Sequence, residues 1–322
     1  MSEAGTGVLV TAVVVNYNTR ELLEPCISAL RVSAGSIALQ IVIVDNASRD
    51  GSQDVLRRDF TDCDLLFNDV NVGFGRANNQ ALAQARGRYL LLLNTDAFLA
   101  ADTIEKTVGF LEANPSCGLL GVRLVGRDGM LQPCCRYFPT PWNEFLARTG
   151  LSRFFPRARL IDDMAWDHAS TRECDWVPGC YYLLRRSVVE AVGLFDPRYF
   201  LYYEEVDHCR ATKAAGWTVV FFPDTTVVHL GGESAKSDSP VTLAGRQIDA
   251  LQIESALLYH RKHHGRKGLA ASVLLTTLSD ALLAVKWLLR SRGGDGVAAY
   301  WAHTRTTWGL LRRTSGGRVP TR

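Results

Sequence analysis

The chain has no CxxC pair among its eight cysteines, no internal repeat, and almost no acid at its end. Residues 255 to 322 hold twelve Lys or Arg against only Asp280 and Asp295. Without CxxC spacing, and with Cys134 and Cys135 adjacent, the cysteines make a poor disulfide framework; they read as reduced thiols of a cytoplasmic protein. No basic segment precedes the first apolar run, "MSEAGTGVLVTAVVVNYN", and no small-residue cleavage site follows it, so export is not expected. The formal charge of +3 conceals an imbalance: removing the tail leaves 24 basic against 31 acidic residues, or −7, for residues 1 to 254. With 47% apolar and 21% charged residues over 322 positions, the composition is globular. It suits one large domain with an appendage and excludes disorder and collagen. No nucleic-acid partner is expected.

Three strand-like runs, "LVTAVVVN" (9 to 16), "LQIVIVDN" (39 to 46) and "YLLLLN" (89 to 94), alternate with helix-like stretches at 20 to 33, 51 to 59 and 76 to 86. This rhythm predicts an open parallel α/β sheet with helices on its faces. Continuous apolar runs are strands covered on both sides. Each run ends in polar residues: Asn16, Tyr17 and Asn18 after the first, Asp45 and Asn46 after the second, Asn94, Thr95 and Asp96 after the third. A ligand site is therefore expected at the shared C-terminal edge. Ser48 or Asp50 can cap the helix that follows the second strand.

Residues 114 to 175 are rich in turns, aromatics and Arg and show no period, as expected of an insertion or acceptor-side loops. Regular patterning resumes with a strand and a helix from Ser187, a helix with acids at its start ("YYEEVDHCRATKAAGW"), and two short strands in "TVVFFPDTTVVH". Residues 269 to 289 are long enough to span a bilayer, but Asp280, Lys286 and several Ser and Thr disfavour a span. Ser272, Thr276, Ser279 and Asp280 share one helical face and Leu274, Leu278 and Leu282 another. Flanked by "HRKHHGRK" and "LLRSR", the segment suits either a helix at an anionic membrane surface or one packed on the preceding domain.

Taken in order, "VVVNYNTRELL", "VIVDNASRDGS", "NVGFGRANNQAL", "LLLNTDAFL", "GLFDPRYFLYYEEVDHCRATKAAGW" and "VVHLGGES" strongly resemble glycosyltransferase family 2, enzymes of the GT-A fold. Within it the chain is most similar to bacterial rhamnosyltransferases of envelope polysaccharide synthesis. The resemblance covers roughly residues 8 to 265. It implies a Rossmann-like, mostly parallel sheet flanked by helices over 1–260, with a nucleotide-binding half at about 1–113 and an acceptor-side half at 114–260. Residues 261–322 would form a basic, amphipathic helical tail, possible peripheral contact with an anionic membrane included.

By the same resemblance, Asp96 is the surviving carboxylate of an Asp-x-Asp motif that reads Asn94-Thr95-Asp96 here. It would bind Mg²⁺ or Mn²⁺ together with His229, while the Gly-Gly loop after His229 closes over a diphosphate. A divalent cation offsets charge on a departing diphosphate, and an imidazole ligand favours Mn²⁺ more than an all-oxygen site does. Glu205 is implied as the general base, where the family usually has Asp; Glu204 and Asp207 stay open, and acids also suit a helix start electrostatically. Ala211 departs from the Arg that relatives often carry. Val15, Asn16, Tyr17 and Asn18 are implied at the nucleotide, with Asp45 accepting the N3 proton of a pyrimidine. Gly73, Arg76 and Asn79 are implied near the diphosphate or sugar, and Asn94, Thr95, Trp176 and Glu204 as further substrate contacts. The GxGxxN look of "NVGFGRANN" invites a dinucleotide reading, but no strand of a β-α-β unit directly precedes it.

The resulting expectation is an inverting, metal-dependent glycosyltransferase at the inner face of the cell membrane. Its donor would be dTDP-L-rhamnose or, alternatively, a UDP-hexose, and its acceptor a lipid-linked saccharide or polysaccharide. An inactive glycan-binding or scaffold protein with this fold is the competing class.

Overall fold

Val10–Asn16 (β1), Leu39–Asp45 (β2) and Tyr89–Asn94 (β4) bury almost every side chain, which is why their sequences run apolar without alternation. The computed structural model describes residues 7–231, 241–290 and 295–322, with side chains in the second stretch from residue 249. β1 lies in parallel between β2 and β4, and Asp64–Phe67 (β3) adds in parallel to β2. Past β4 the sheet changes sense: Tyr181–Arg185 (β8) runs antiparallel to it, pairing Leu91 with Leu183. Cys117–Val125 (β6) follows, then Thr218–His229 (β9), parallel to β6. The path reads β3-β2-β1-β4-β8-β6-β9-β5, where Ala97–Leu99 (β5) closes the edge and Arg172–Glu173 (β7) pairs with β9.

Arg20–Ala34 (α1) turns Leu23, Cys26, Ile27 and Leu30 inward, the i, i+3, i+4, i+7 stripe of an amphipathic helix. Ser52–Asp59 (α2), Phe74–Ala81 (α3) and Thr103–Ala113 (α4) complete the helices of this first half. Three local expectations change. The third helix covers 74–81 instead of 76–86. The two short strands expected over 218–229 are one strand, whose register against β6 slips between Phe222 and Thr226. The aperiodic stretch from 114 contributes a nine-residue strand, β6, to the sheet.

Two compact units divide the chain. The first comprises 1–136, 164–197 and 204–240 and holds the sheet, with Arg186–Val192 (α6) and Glu204–Ala214 (α7). The second comprises 137–163, 198–203 and 241–322. It is helical: Pro141–Thr149 (α5), Val241–Leu289 (α8, interrupted at Gly265 with φ 66°) and Asp295–Arg313 (α9). α5 starts on a capping box between Thr140 and Asn143, with Pro141 in its first turn. Leu257, Leu269, Val273 and Leu310 form the apolar centre of this unit.

Candidate active site

The C-terminal ends of β1, β2 and β4 are tied together by a continuous polar chain. Asn16 Nδ2 donates to Asp45 Oδ2 (2.8 Å) and to Ser48 Oγ (3.0 Å). Thr19 Oγ1 donates to Asn16 Oδ1 (2.7 Å) and lies 2.8 Å from Thr95 Oγ1, so with its one proton spent Thr95 is the donor there. Asp45 Oδ1 also accepts from Ser48 N (3.0 Å) and Gln53 Nε2 (2.9 Å). Asp45 and Asn16 are both 0% exposed. A nucleobase imide can therefore reach Asp45 only if a side chain covering it moves aside. Asn18, at φ 51°, takes the left-handed conformation its side chain tolerates, and its Oδ1 accepts from Arg49 N (2.7 Å). Val15 stays in β1, opposite Val44 and Asn94.

Neither residue expected to cap α2 sits at its N-cap, which is Gly51 at φ 86° with no side-chain cap. Asp50 accepts from Ser52 N (3.0 Å) and Arg20 N (2.8 Å), the first amides of α2 and α1, while Ser48 Oγ serves Asn16 and Asn18.

Asp96 follows the turn after β4 and is buried. Because β5 pairs antiparallel with β9, Ala97 faces His229, and Leu230 N donates to Asp96 O (3.0 Å). That register brings His229 Nε2 to 3.5 Å from Asp96 Oδ1. The other ring nitrogen, Nδ1, lies 2.9 Å from Gln132 Oε1, and Gln132 Nε2 donates back to His229 O (2.9 Å). Gln132 thus fixes the ring plane, a role that no local pattern around it signals. Burial lowers the His229 imidazole, but hydrogen bonds to Asp96 and the Cys180 thiol, with their charges, carry it up to about 10. Cys26 lies under this turn, its Sγ donating toward Asn94 O (3.6 Å) and Ala97 O (3.7 Å). Burial, then the Asp96 charge, push that thiol up to about 12.

Among the described residues no three His, Cys, Asp or Glu gather into a metal cluster. Two ligands nonetheless suit a hard divalent ion that keeps substrate phosphate and water in its remaining positions. One carboxylate oxygen and one imidazole nitrogen 3.5 Å apart match neighbouring positions around such an ion. Asn94 Oδ1, just before them, is enclosed and takes no hydrogen bond from the protein.

Glu205 opens α7 beside Glu204. Glu204 lies against the "GFG" stretch: a Cβ on Gly75 would stand 3.6 Å from Glu204 Cβ and 3.2 Å from Phe195 Cβ. Glu205 lies against the 176–180 loop, where a Cβ on Gly179 would stand 3.9 Å from its own. The Glu205 side chain is partly exposed, yet Oε2 is enclosed and has no hydrogen-bond partner. Burial raises its carboxyl above the usual range; the amides of Glu205 and Val206 and the Arg136 guanidinium pull it down without cancelling the rise. Arg136 was not anticipated. Its guanidinium stacks 4.1 Å over the Trp176 ring, and its backbone pairs with Trp176 (Arg136 N to Trp176 O, 3.2 Å). Trp176 thereby holds a cation near Glu205.

Asn79 and Arg76 are committed to the loop that leads towards α7. Asn79 Nδ2 donates to Phe195 O (2.7 Å), Phe195 N donates to Asn79 Oδ1 (3.1 Å), and Arg76 Nε donates to Pro197 O (2.8 Å). Gly73, at φ 90°, makes the turn into α3. One turn into α7, His208 Nε2 donates to Gly193 O (3.1 Å) and Nδ1 accepts from Tyr182 Oη (2.8 Å); burial lowers this imidazole to about 4 and keeps it neutral. Of the Gly-Gly loop, Gly231 is described and Gly232 to Ser234 lie outside the described residues.

A buried carboxylate and a partly exposed imidazole at the strand ends, with a second carboxylate of raised pKa in the same unit, are suited to binding a phosphorylated ligand through a cation and removing a proton. Residues 11–148 match the family model for glycosyl transferase family 2. The chain is 28% identical over 249 residues to the N-acetylglucosaminyl-diphospho-decaprenol L-rhamnosyltransferase of Mycobacterium tuberculosis, covering 72% of this chain and 79% of that one. It is 24% identical over 178 residues to the rhamnosyltransferase WbbL of Escherichia coli, covering 51% and 63%. The fold matches a mannosyltransferase from Pyrobaculum calidifontis in complex with GDP-Man and Mn²⁺, with a TM-score of 0.53 at 18% identity over 96% of this chain and 86% of that one. It also matches S. aureus TarS 1–349 in complex with UDP, at 0.52 and 13% over 97% and 92%. At such identities the structures establish the GT-A fold alone.

Proposed function

We propose that the chain is a member of glycosyltransferase family 2, whose model matches residues 11–148, and that it is an inverting, cation-dependent rhamnosyltransferase of envelope polysaccharide synthesis. Asp96 and His229 would hold Mg²⁺ or Mn²⁺, which when bound neutralises charge on the departing diphosphate. The observation that carries this reading is the 3.5 Å approach of the two side chains, fixed by the β5–β9 register.

Glu205 is the general base. Its carboxylate takes the proton of an acceptor hydroxyl as the hydroxyl oxygen bonds to the anomeric carbon, and the bond from that carbon to the diphosphate oxygen breaks. A carboxyl raised by burial is a better proton acceptor than an ordinary one. Arg136, stacked on Trp176, opposes the rise that burial gives this carboxyl. Asn79 and Arg76 act by holding the 195–197 loop. Asp45 organises the strand ends and would accept the pyrimidine N3–H once the side chains covering it move aside.

The donor is dTDP-L-rhamnose and the acceptor a lipid-linked saccharide, met at the inner face of the cell membrane; the names of both relatives support rhamnose. A UDP-hexose is the alternative donor, which the UDP complex of a structural neighbour keeps in view. Thermal-shift screening with Mn²⁺ against dTDP-rhamnose, UDP-glucose, UDP-galactose and UDP-GlcNAc tests the assignment, since a bound donor stabilises the fold by mass action. The largest shift is expected with dTDP-rhamnose, and a larger one with a UDP-hexose would replace it.

A further inference from the structure

The C-terminal half of α8 is built inside out. Its polar face is the buried one: Ser279 is 0% and Asp280 2% exposed. Asp280 pairs with Arg148 of α5 and accepts from His303 Nδ1 (2.8 Å) and Thr304 Oγ1 (2.7 Å) of α9. Its apolar face is the open one: Leu274 is 61%, Leu278 47%, Leu282 43%, Val285 54% and Leu289 82% exposed. At 3.6 residues per turn these five fall within roughly 80° of arc and extend for about 22 Å. Scattered exposed leucines need no explanation, but a continuous stripe of this length on one helix does.

The neighbouring helix shows what the stripe meets. On α9, Trp301, Arg305, Trp308 and Arg312 are all exposed and recur at i, i+4, i+7 and i+11, a single stripe alternating indole with guanidinium. Trp308 Nε1 donates to Thr277 Oγ1 of α8 (3.1 Å), which sets the two stripes side by side. Indoles seat at the headgroup level of a bilayer, and arginines beside them match anionic headgroups. A second copy laid over this face would bury two arginines from each copy with no acid on either stripe to pair with them. A spanning α8, which its length and apolar composition would permit, would have to carry Asp280 and its partners into hydrocarbon.

We propose that the exposed apolar stripe of α8 and the Trp–Arg stripe of α9 form one docking face that lies in the plane of an anionic lipid bilayer without crossing it. The face goes beyond sugar transfer and stands whether or not the donor assignment holds. Substituting exposed side chains leaves the Asp280 network and the catalytic groups untouched.

Vesicle flotation of the full chain tests it, with phosphatidylcholine vesicles made with and without phosphatidylglycerol. Wild type is expected to float with the anionic vesicles and to be released by salt. Leu274→Gln, Leu278→Gln and Leu282→Gln combined should lower partitioning by about tenfold or more, and Arg305→Gln with Arg312→Gln by about fivefold per arginine. Turnover of both variants on a water-soluble acceptor should match wild type, which also reports that they fold. Wild type staying with the unbound fraction, or the leucine variant floating like wild type, overturns the proposal. Resistance to alkaline carbonate would make α8 a span. Lipid-free dimers dispersed by the leucine substitutions would make the occupant a second copy. The arginine variant, which alters no packing, keeps the test decisive if the leucine variant fails to fold.

Discussion

His229 Nε2 stands 3.5 Å from Asp96 Oδ1 although 133 residues separate them in sequence, because the three-residue strand β5 pairs Ala97 with His229. The pair is a consequence of strand register. A one-residue slip of β5 against β9 would turn β5 over relative to β9 and part the two.

Asp96→Asn keeps the shape of the turn and removes the negative charge. Turnover should fall at least about 10²-fold, and added Mn²⁺ should no longer raise the melting temperature. Steady-state kinetics and a melt with and without Mn²⁺ check both. Undiminished turnover would remove Asp96 from the mechanism.

His229 gives a pH signature. Its imidazole is raised to about 10 from an ordinary value near 6.5, so its contribution to stability is complete below about 6.5 and disappears as pH rises through about 10. The cation-free melting temperature of wild type should therefore lose its margin over His229→Gln across that window. Metal must displace the same proton, so Mn²⁺ affinity should strengthen as pH rises. An affinity that is flat with pH would contradict the protonated pair.

Glu205→Gln should lower kcat by about 10²- to 10⁴-fold. A raised carboxyl favours the folded state below its unfolded pKa and loses that advantage as pH rises through the folded value. At neutral pH the neutral glutamine should thus melt no lower than wild type. A large loss of stability in place of activity would make Glu205 structural and return Glu204 and Asp207 as candidates for the base.

Arg136→Gln removes the cation that holds the Glu205 carboxyl down. The acid limb of the kcat profile should move to higher pH, while Arg136→Lys should restore it in part. A fall in kcat with an unmoved limb would assign Arg136 to substrate alone.

The strands that could be read were those whose apolar residues run unbroken: β1, β2 and β4 are buried on both faces, and their polar ends mark the site edge. β6 escaped notice because two glycines and Arg123 interrupt "CGLLGVRLV", and β5 because three residues carry no period. Asp96 was legible as the polar end of a buried strand, but its metal role, like the roles of His229 and Glu205, only through resemblance, since register and non-local packing bring such residues together. Arg136 and Gln132 lie in the aperiodic stretch, where spacing gives no sign of a stacked Trp176 or a braced imidazole. The two faces of α8 were readable as faces. Which one turns inward depends on Arg148 and His303, far along the chain from Asp280.

The most direct test is anomalous diffraction at the manganese edge from crystals grown with Mn²⁺ and the nucleoside diphosphate of the donor. The account predicts one strong peak within about 2.5 Å of both Asp96 and His229, lost in Asp96→Asn crystals. A peak elsewhere, or full turnover in chelator with none at all, would contradict it.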